Sequence, residues 1–312
     1  MKQVYIHIGA HKSASTTIQR SLQRNKEIVK ENTGVFYRRV NAIEDKPLFD
    51  HFLKLGINCF TNNEDFKNSL ETAKSFVIND LKDNNFNKIF YSHEGFLGNL
   101  NIQKYGFYSD IDKIVESIRY IFEGYKIHIM LLTRRQDTFI ESCYTHQYKN
   151  NVDWNFDNFT KDLNILNFSW FTLIEKFLSI VKQDQIFVYP FEEIKNLGTK
   201  YFLELIFEEF IGENLDSSKL NIVEIANQSL SKEGIEIAQS LGPQLKNKKS
   251  KKEFLSILLR EFPAKNFSKP VQFNEFNRNN ILKICEEDNK KLFSKYITGL
   301  DSMYYAPIYK FS

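Results

Sequence analysis

The first apolar run of the chain, Gln3-Val-Tyr-Ile-His-Ile8, is dense in β-branched and aromatic residues and stops at Gly9, the pattern of a buried strand. From Ser15 to Arg24 the pattern changes. Ile18 and Leu22 fall at helical spacing behind a head of hydroxyl residues that suits a helix N-terminus. The chain therefore opens strand, loop, helix. The strand signature returns at Lys88–Ser92, Lys126–Thr133 and Gln185–Tyr189, with helical patterns over roughly 65–83, 109–123, 136–149, 168–181 and 199–211. Strands alternating with helices predict an α/β fold in three layers, a central parallel sheet flanked by helices on both faces, with right-handed crossovers.

After residue 215 no strong strand pattern recurs. Amphipathic stretches over 229–241, 251–260 and 275–294 read as a C-terminal helical cap. The run Lys-Asn-Lys-Lys-Ser-Lys-Lys at 246–252 breaks that pattern and predicts an exposed turn between helices. With no internal repeat and no low-complexity linker, the expectation is a single domain over 1–312, with an α/β core at 1–215 and the cap at 216–312.

Composition narrows the function classes. The 42 basic and 39 acidic residues give a net charge of +3, too balanced for a nucleic-acid coat or a membrane-surface protein, so any anion site must be local. Hydrophobic residues at 42% and charged residues at 26% are those of a globular protein, and the 29 Phe and 15 Tyr carry no functional weight as a total. Cys59, Cys143 and Cys285 show neither close pairing nor metal-ligand spacing, which predicts free buried thiols in a reducing compartment and no zinc. The N-terminus is too short and polar for a signal peptide. No window reaches the roughly 18 consecutive apolar residues of a membrane span, so a cytoplasmic protein is expected.

The first strand-to-helix turn is Gly9-Ala10-His11-Lys12-Ser13-Ala14-Ser15-Thr16-Thr17. In an open parallel sheet this is a favoured anion site, because N–H groups and the helix dipole converge there. Against the Walker pattern G-x-x-x-x-G-K-[ST], Gly9 and Thr16 fit, but Ala14 and Ser15 stand where glycine and lysine belong. The loop's one lysine is Lys12. A nucleoside triphosphate needs a lysine on its β- and γ-phosphates and a hydroxyl for Mg²⁺, whereas a single short 5′ anionic group needs one point charge and several donors. The loop suits the second ligand better. A hydroxyl-rich turn that merely caps a helix would explain the serines and threonines but not the lysine among them.

This loop resembles the 5′-phosphosulfate-binding loop of sulfotransferases, usually a strand followed by K-[ST]-G-[ST]-[ST]. It departs at Ala14, where the family has glycine; a helical φ at that position would accept alanine. Arg134 and Ser142, eight residues apart at a strand end and on the next helix, resemble the family's arginine and serine that grip the donor's 3′-phosphate. Arg134 and Arg135 could instead pair with Asp137 or Glu141. Tyr189-Pro190-Phe191-Glu192-Glu193-Ile194 and Asn227-Gln228-Ser229-Leu230-Ser231 also look like family segments.

The resemblance implies a P-loop-type fold and a sulfotransferase. Such an enzyme takes a sulfuryl group from 3′-phosphoadenosine 5′-phosphosulfate (PAPS), releases adenosine 3′,5′-bisphosphate (PAP) and requires no metal. His11, Lys12, Ser13, Ala14, Ser15, Thr16, Thr17, Arg134 and Ser142 would hold the donor, with Lys12 stabilising the leaving oxygen. Family members use a glutamate or a histidine as base, which makes Glu94 the first candidate and His93 the second. His11 would position the loop or touch the donor. The acceptor would be a hydroxyl or amine, by analogy on a carbohydrate or surface glycan, with no nucleic-acid partner. A P-loop nucleoside or small-molecule kinase, and a family member that binds nucleotide or glycan without turnover, stay open as alternatives.

Overall fold

Burial along the first strand is unbroken from Val4 to Ala10, which a strand achieves only at the centre of a sheet covered on both faces. The computed structural model describes residues 2–83, 86–148, 155–161, 163–223, 229–268, 270–297 and 299–307. Its strands are β1 (Gln3–Gly9), β2 (Val35–Arg39), β3 (Lys88–Ser92), β4 (Lys126–Thr133) and β5 (Ile186–Pro190). They form one sheet in the order β2-β3-β1-β4-β5, and every adjacent pair is parallel.

Alternation along the strands sorts side chains to the two faces. Val4, Ile6 and Ile8 join Ile89, Tyr91, Ile129 and Leu131 in one apolar cluster, while Tyr5, Phe90, Met130 and Leu132 join a second. The second face is covered by α1 (Ser15–Arg24), α2 (Lys26–Thr33) and, beyond β5, α7 (Phe191–Leu205). The first is covered by α3 (Lys46–Gly56), α4 (Asn63–Asp83), α5 (Ile111–Ile121) and α6 (Gln136–Tyr148). Behind them lies the cap, α8 (Lys232–Leu241), α9 (Lys248–Glu261) and α10 (Glu275–Tyr296). This is a three-layer α/β arrangement, a parallel sheet between two layers of helices, with a helical cap.

Several boundaries differ from the sequence pattern. The 168–181 stretch is an α-turn over Trp170–Glu175 followed by a 3₁₀ turn, and the 199–211 stretch is the end of α7 followed by a π-helical turn over Ile206–Ile211. Lys149, Asn227 and Gln228 lie outside the described residues. The 246–252 run is not a turn between helices: its larger part begins α9, where the Asn247 side chain accepts the Ser250 N–H at 2.8 Å. Lysine is a good helix former, and an asparagine cap is enough to start the helix. Cys143 and Cys285 are buried, but Cys59, expected to be buried, is exposed. Among the described residues no helix is long and apolar enough to cross a membrane.

The cap matters to the core because α10 grips α6. Arg278 bonds Asp137 and, at 2.9 Å, Glu141, while Gln136 donates to the Asn289 side chain at 2.7 Å. Past α10, a 3₁₀ turn over Ser302–Tyr305 buries Tyr305, whose hydroxyl lies 2.9 Å from Thr133 Oγ1 and 3.2 Å from Glu192 Oε2. The strand end of β4 is thereby fixed from both sides.

Candidate functional site

Residues 10–14 connect the carboxyl end of β1 to the head of α1. The Ala10 N–H bonds the Leu132 carbonyl at 3.0 Å, tying the loop to β4. Its neighbour, the His11 N–H, reaches the Tyr108 hydroxyl at 3.3 Å, and the same hydroxyl lies 3.3 Å from His11 Nδ1. Ser15 Oγ donates to the Ala10 carbonyl at 2.9 Å and Ser13 Oγ to the His11 carbonyl at 3.4 Å. Those two hydroxyls are thus used to fold the loop, while Thr16 and Thr17 sit half-buried in the first turn of α1. The helix begins with no side-chain cap and no acid in its first turn. An N-terminus with no side-chain cap and no acid of its own in the first turn leaves its N–H groups and dipole to an incoming anion.

Ala14 does not have the helical φ expected of it. Its φ is 63° and its ψ 9°, left-handed, and Lys12 is left-handed as well at φ 62°. An L-residue there costs about 1–2 kcal/mol, which is why glycine is the usual occupant of such a position. Strain of this kind in a loop that turns its backbone toward a helix N-terminus is typical of ligand-binding segments.

The Lys12 side chain is drawn inward, among Arg134, Glu94 and Cys143. Burial lowers its pKa and Arg134 adds to that, while Cys143 and Glu94 oppose it. Cys143 is itself buried, which pushes its thiol pKa up and keeps it neutral. Arg134 donates through Nη1 to the Lys12 carbonyl at 2.7 Å and through Nε to Thr138 Oγ1 at 3.1 Å, and its guanidinium sits 4.8 Å from the Phe191 ring centroid. The Arg134 carbonyl in turn accepts the Trp170 indole N–H at 2.8 Å. Arg135 behaves differently: it makes a fork with Asp137 at 2.7 and 2.9 Å. The two adjacent arginines are therefore separated, one neutralised and one turned onto the loop. Ser142 lies half-buried on α6 beside Cys143, and among the described residues no hydrogen bond joins it to Arg134 or the loop.

Glu94 opens the short 3₁₀ turn after β3, and its carbonyl lies close to Gly9. Burial raises the pKa of its carboxyl, against the opposing pull of Lys12, Arg39 and the Ser15 hydroxyl. The carboxyl is thus next to the loop. The His93 ring instead packs between Phe49 and Phe96, with centroids 5.1 and 5.6 Å away, and lies so close over Gly95 that a Cβ there would stand 2.3 Å from Nε2. Burial lowers its pKa to about 4, so the ring is neutral at pH 7. One turn of strand below, His7 Nδ1 lies 2.8 Å from Ser92 Oγ, bracing β1 against β3, and burial takes its pKa to about 3.

The structure thus brings Lys12, Ser15, Glu94 and Arg134 together, with His93 between its two phenylalanines and within electrostatic reach of His11 and Arg39. Sequence reading missed Tyr108, Arg39 and Cys143. Arg39 ends the five-residue edge strand β2, which carries little periodicity, and Tyr108, at φ 48°, had no signal at all. Among the described residues no group of three or more His, Cys, Asp or Glu side chains is placed to hold a metal.

No family model matches the chain, and no curated protein matches it. Solved structures similar to it include a sulfotransferase from Alicyclobacillus acidocaldarius, at 11% identity and a TM-score of 0.40 over 83% of this chain and 96% of that one. Another is the sulfotransferase domain of the Synechococcus PCC 7002 olefin synthase, at 11% identity and a TM-score of 0.41 over 92% of this chain and 94% of that one. Likeness at this level transfers no residue role.

Proposed function

We propose that the chain is a sulfotransferase that moves a sulfuryl group from PAPS to an acceptor hydroxyl or amine. The observation that carries the reading is the loop around Lys12: Arg134 donates to the Lys12 carbonyl at 2.7 Å, the Lys12 and Glu94 charges act on each other, and the loop leads into an uncapped helix with serine where a kinase-type loop has lysine. Ser15 is tied to the Ala10 carbonyl, so the Walker lysine has no functional substitute at that position.

In this mechanism the 5′-phosphosulfate lies at the head of α1, over the residues His11 to Thr17. The acceptor oxygen attacks sulfur in line with the bridging oxygen, and its proton passes to the Glu94 carboxylate. The sulfur–bridge bond breaks, and its electron pair stays on the 5′-phosphate of PAP, where the Lys12 ammonium offsets the growing charge. A carboxyl raised by burial is a better base at neutral pH than an ordinary one. Arg134 and Ser142 receive the 3′-phosphate. Among the described residues Arg134 Nη2 makes no hydrogen bond, which keeps one arm of the fork for that phosphate. No step calls for a metal. A carbohydrate acceptor follows from the sequence resemblance.

The left-handed Ala14 favours a second reading, a donor site weakened into a binding protein without turnover. Incubation with ³⁵S-labelled PAPS and a panel of sugars, phenols and amines separates the two. Labelled product with stoichiometric PAP is expected; PAP binding with no transfer to any acceptor supports the binding protein, and phosphoryl transfer from ATP would establish a kinase.

A further inference from the structure

Lys12 and Arg134 follow the carboxyl ends of β1 and β4, on one side of Glu94; the sheet order places β2 on the other side. Against β2 and α2 lies a groove of about 80 Å³. Lys26, Lys30, Arg38 and Arg39 line it, against Glu27 and Glu44. Its four cations are not equivalent. Arg38 is held by Asp45 at 2.6 Å and by Asp80 at 3.4 Å, so it forms a fixed, neutralised wall. Among the described residues Arg39 makes no ion pair, yet its charge is felt by both Glu94 and His93. Lys26 and Lys30 stand exposed on α2, Lys30 with its ammonium 5.1 Å from the Phe86 ring centroid.

Size and position decide what such a groove can take. It is well below the roughly 300 Å³ at which pockets begin to hold whole small ligands. A nucleotide does not fit, whereas one carboxylate or sulfate group does. Arg39 is in register with Ser92, two residues before Glu94. Adjacent strands about 4.8 Å apart, with a rise of about 3.3 Å per residue, put the Arg39 and Glu94 backbones on the order of 8 Å apart. A group bound at Arg39 is therefore within one small molecule's length of the base.

We propose that this groove is a recognition subsite of the acceptor, taking one carboxylate or sulfate substituent of an anionic carbohydrate so that a nearby hydroxyl is delivered to Glu94. This rests on the sulfotransferase reading above. The donor occupies the β1–β4 side, the acceptor approaches from β2, and Glu94 on β3 lies between them. Arg39 supplies a fork for the oxyanion and the lysines supply attraction at the mouth.

The test uses the full chain saturated with PAP and compares trigalacturonate with its methyl ester by calorimetry. The acid form is expected to bind at least about tenfold tighter, a difference of about 1.4 kcal/mol. The double variant Lys26→Glu, Lys30→Glu, on exposed positions away from the donor, is expected to lose that preference while its PAP affinity stays unchanged. Arg39→Ala is expected to lose it too. Equal binding of acid and ester by the wild type overturns the subsite and leaves the donor reading standing. A preference that survives in all variants also overturns it, and so does displacement of the trimer by inorganic sulfate at the trimer's own concentration, which marks a free-anion site. Failure of the wild type to bind PAP is the separate result that removes the donor reading and the subsite with it.

Discussion

The guanidinium of Arg134 donates to the main-chain carbonyl of Lys12 across 2.7 Å, joining the end of β4 to the loop after β1. The arginine proposed for one end of the donor therefore also shapes the loop proposed for the other end. Arg134→Met is expected to raise the dissociation constant for PAP more than ten-fold, since a buried charge-assisted bond contributes about 1.5–3 kcal/mol. Arg134→Lys should rescue little of it, because an ammonium can neither fork nor reproduce the guanidinium contact with the Phe191 ring at 4.8 Å. Calorimetric titration with PAP checks both; near wild-type affinity in the methionine variant would show that Arg134 is structural only.

Lys12 and Glu94 are predicted to fail in different ways. Lys12→Ala should lower kcat by about 10²–10³, the usual loss for one preorganised charge-stabilising group, with little change in folding. Glu94→Gln should also lose turnover but gain stability at neutral pH. The raised pKa of Glu94 means its contribution to stability is present below its unfolded pKa and is lost as pH rises through the folded one. Removing the ionisable group removes that loss. Paired kcat and urea-midpoint measurements check this, and a Glu94→Gln protein with normal turnover would reassign the base, with His93→Ala as the next variant to assay.

Ala14→Gly is expected to stabilise the protein or tighten PAP binding by up to about 1 kcal/mol, the relief of a left-handed alanine less the extra chain entropy of glycine. A thermal melt with and without PAP reads both. Destabilisation by glycine would mean that the loop is not left-handed at position 14.

Buried neutral histidines set an acid limit. Burial lowers the pKa of His7 and of His11 to about 3, and of His51 to about 4. The His51 ring is held between the hydroxyls of Ser69 and Ser117, each at 3.1 Å. Groups with lowered pKa contribute stability that is fully present above the unfolded value near 6.5 and is lost as pH falls toward the folded one. Each is expected to cost up to about 1.4 kcal/mol per pH unit across that window. Urea midpoints between pH 7 and pH 4 should fall steeply, and His51→Gln should flatten the slope without touching the donor site.

The central strands were legible because burial on both faces forces unbroken apolar runs, as in Lys126–Thr133, whose predicted bounds match those of β4. β2 was not, because an edge strand of five residues ending in two arginines carries little periodicity. In the candidate site, residue types at the first strand-to-helix turn singled out Lys12, and the family resemblance singled out Arg134; the structure ties the two segments through the Arg134 bond to the Lys12 carbonyl. The left-handed backbone at Ala14 and the contact of Tyr108 with His11 were not legible, because both depend on how distant segments meet.

The most direct test of the central claim is thermal unfolding of the wild-type protein with PAP and, separately, with ATP and Mg²⁺. A site built on Lys12 with no lysine at position 15 predicts a rise in Tm with PAP and none with ATP and Mg²⁺. Stabilisation by ATP and Mg²⁺ but not by PAP would contradict it.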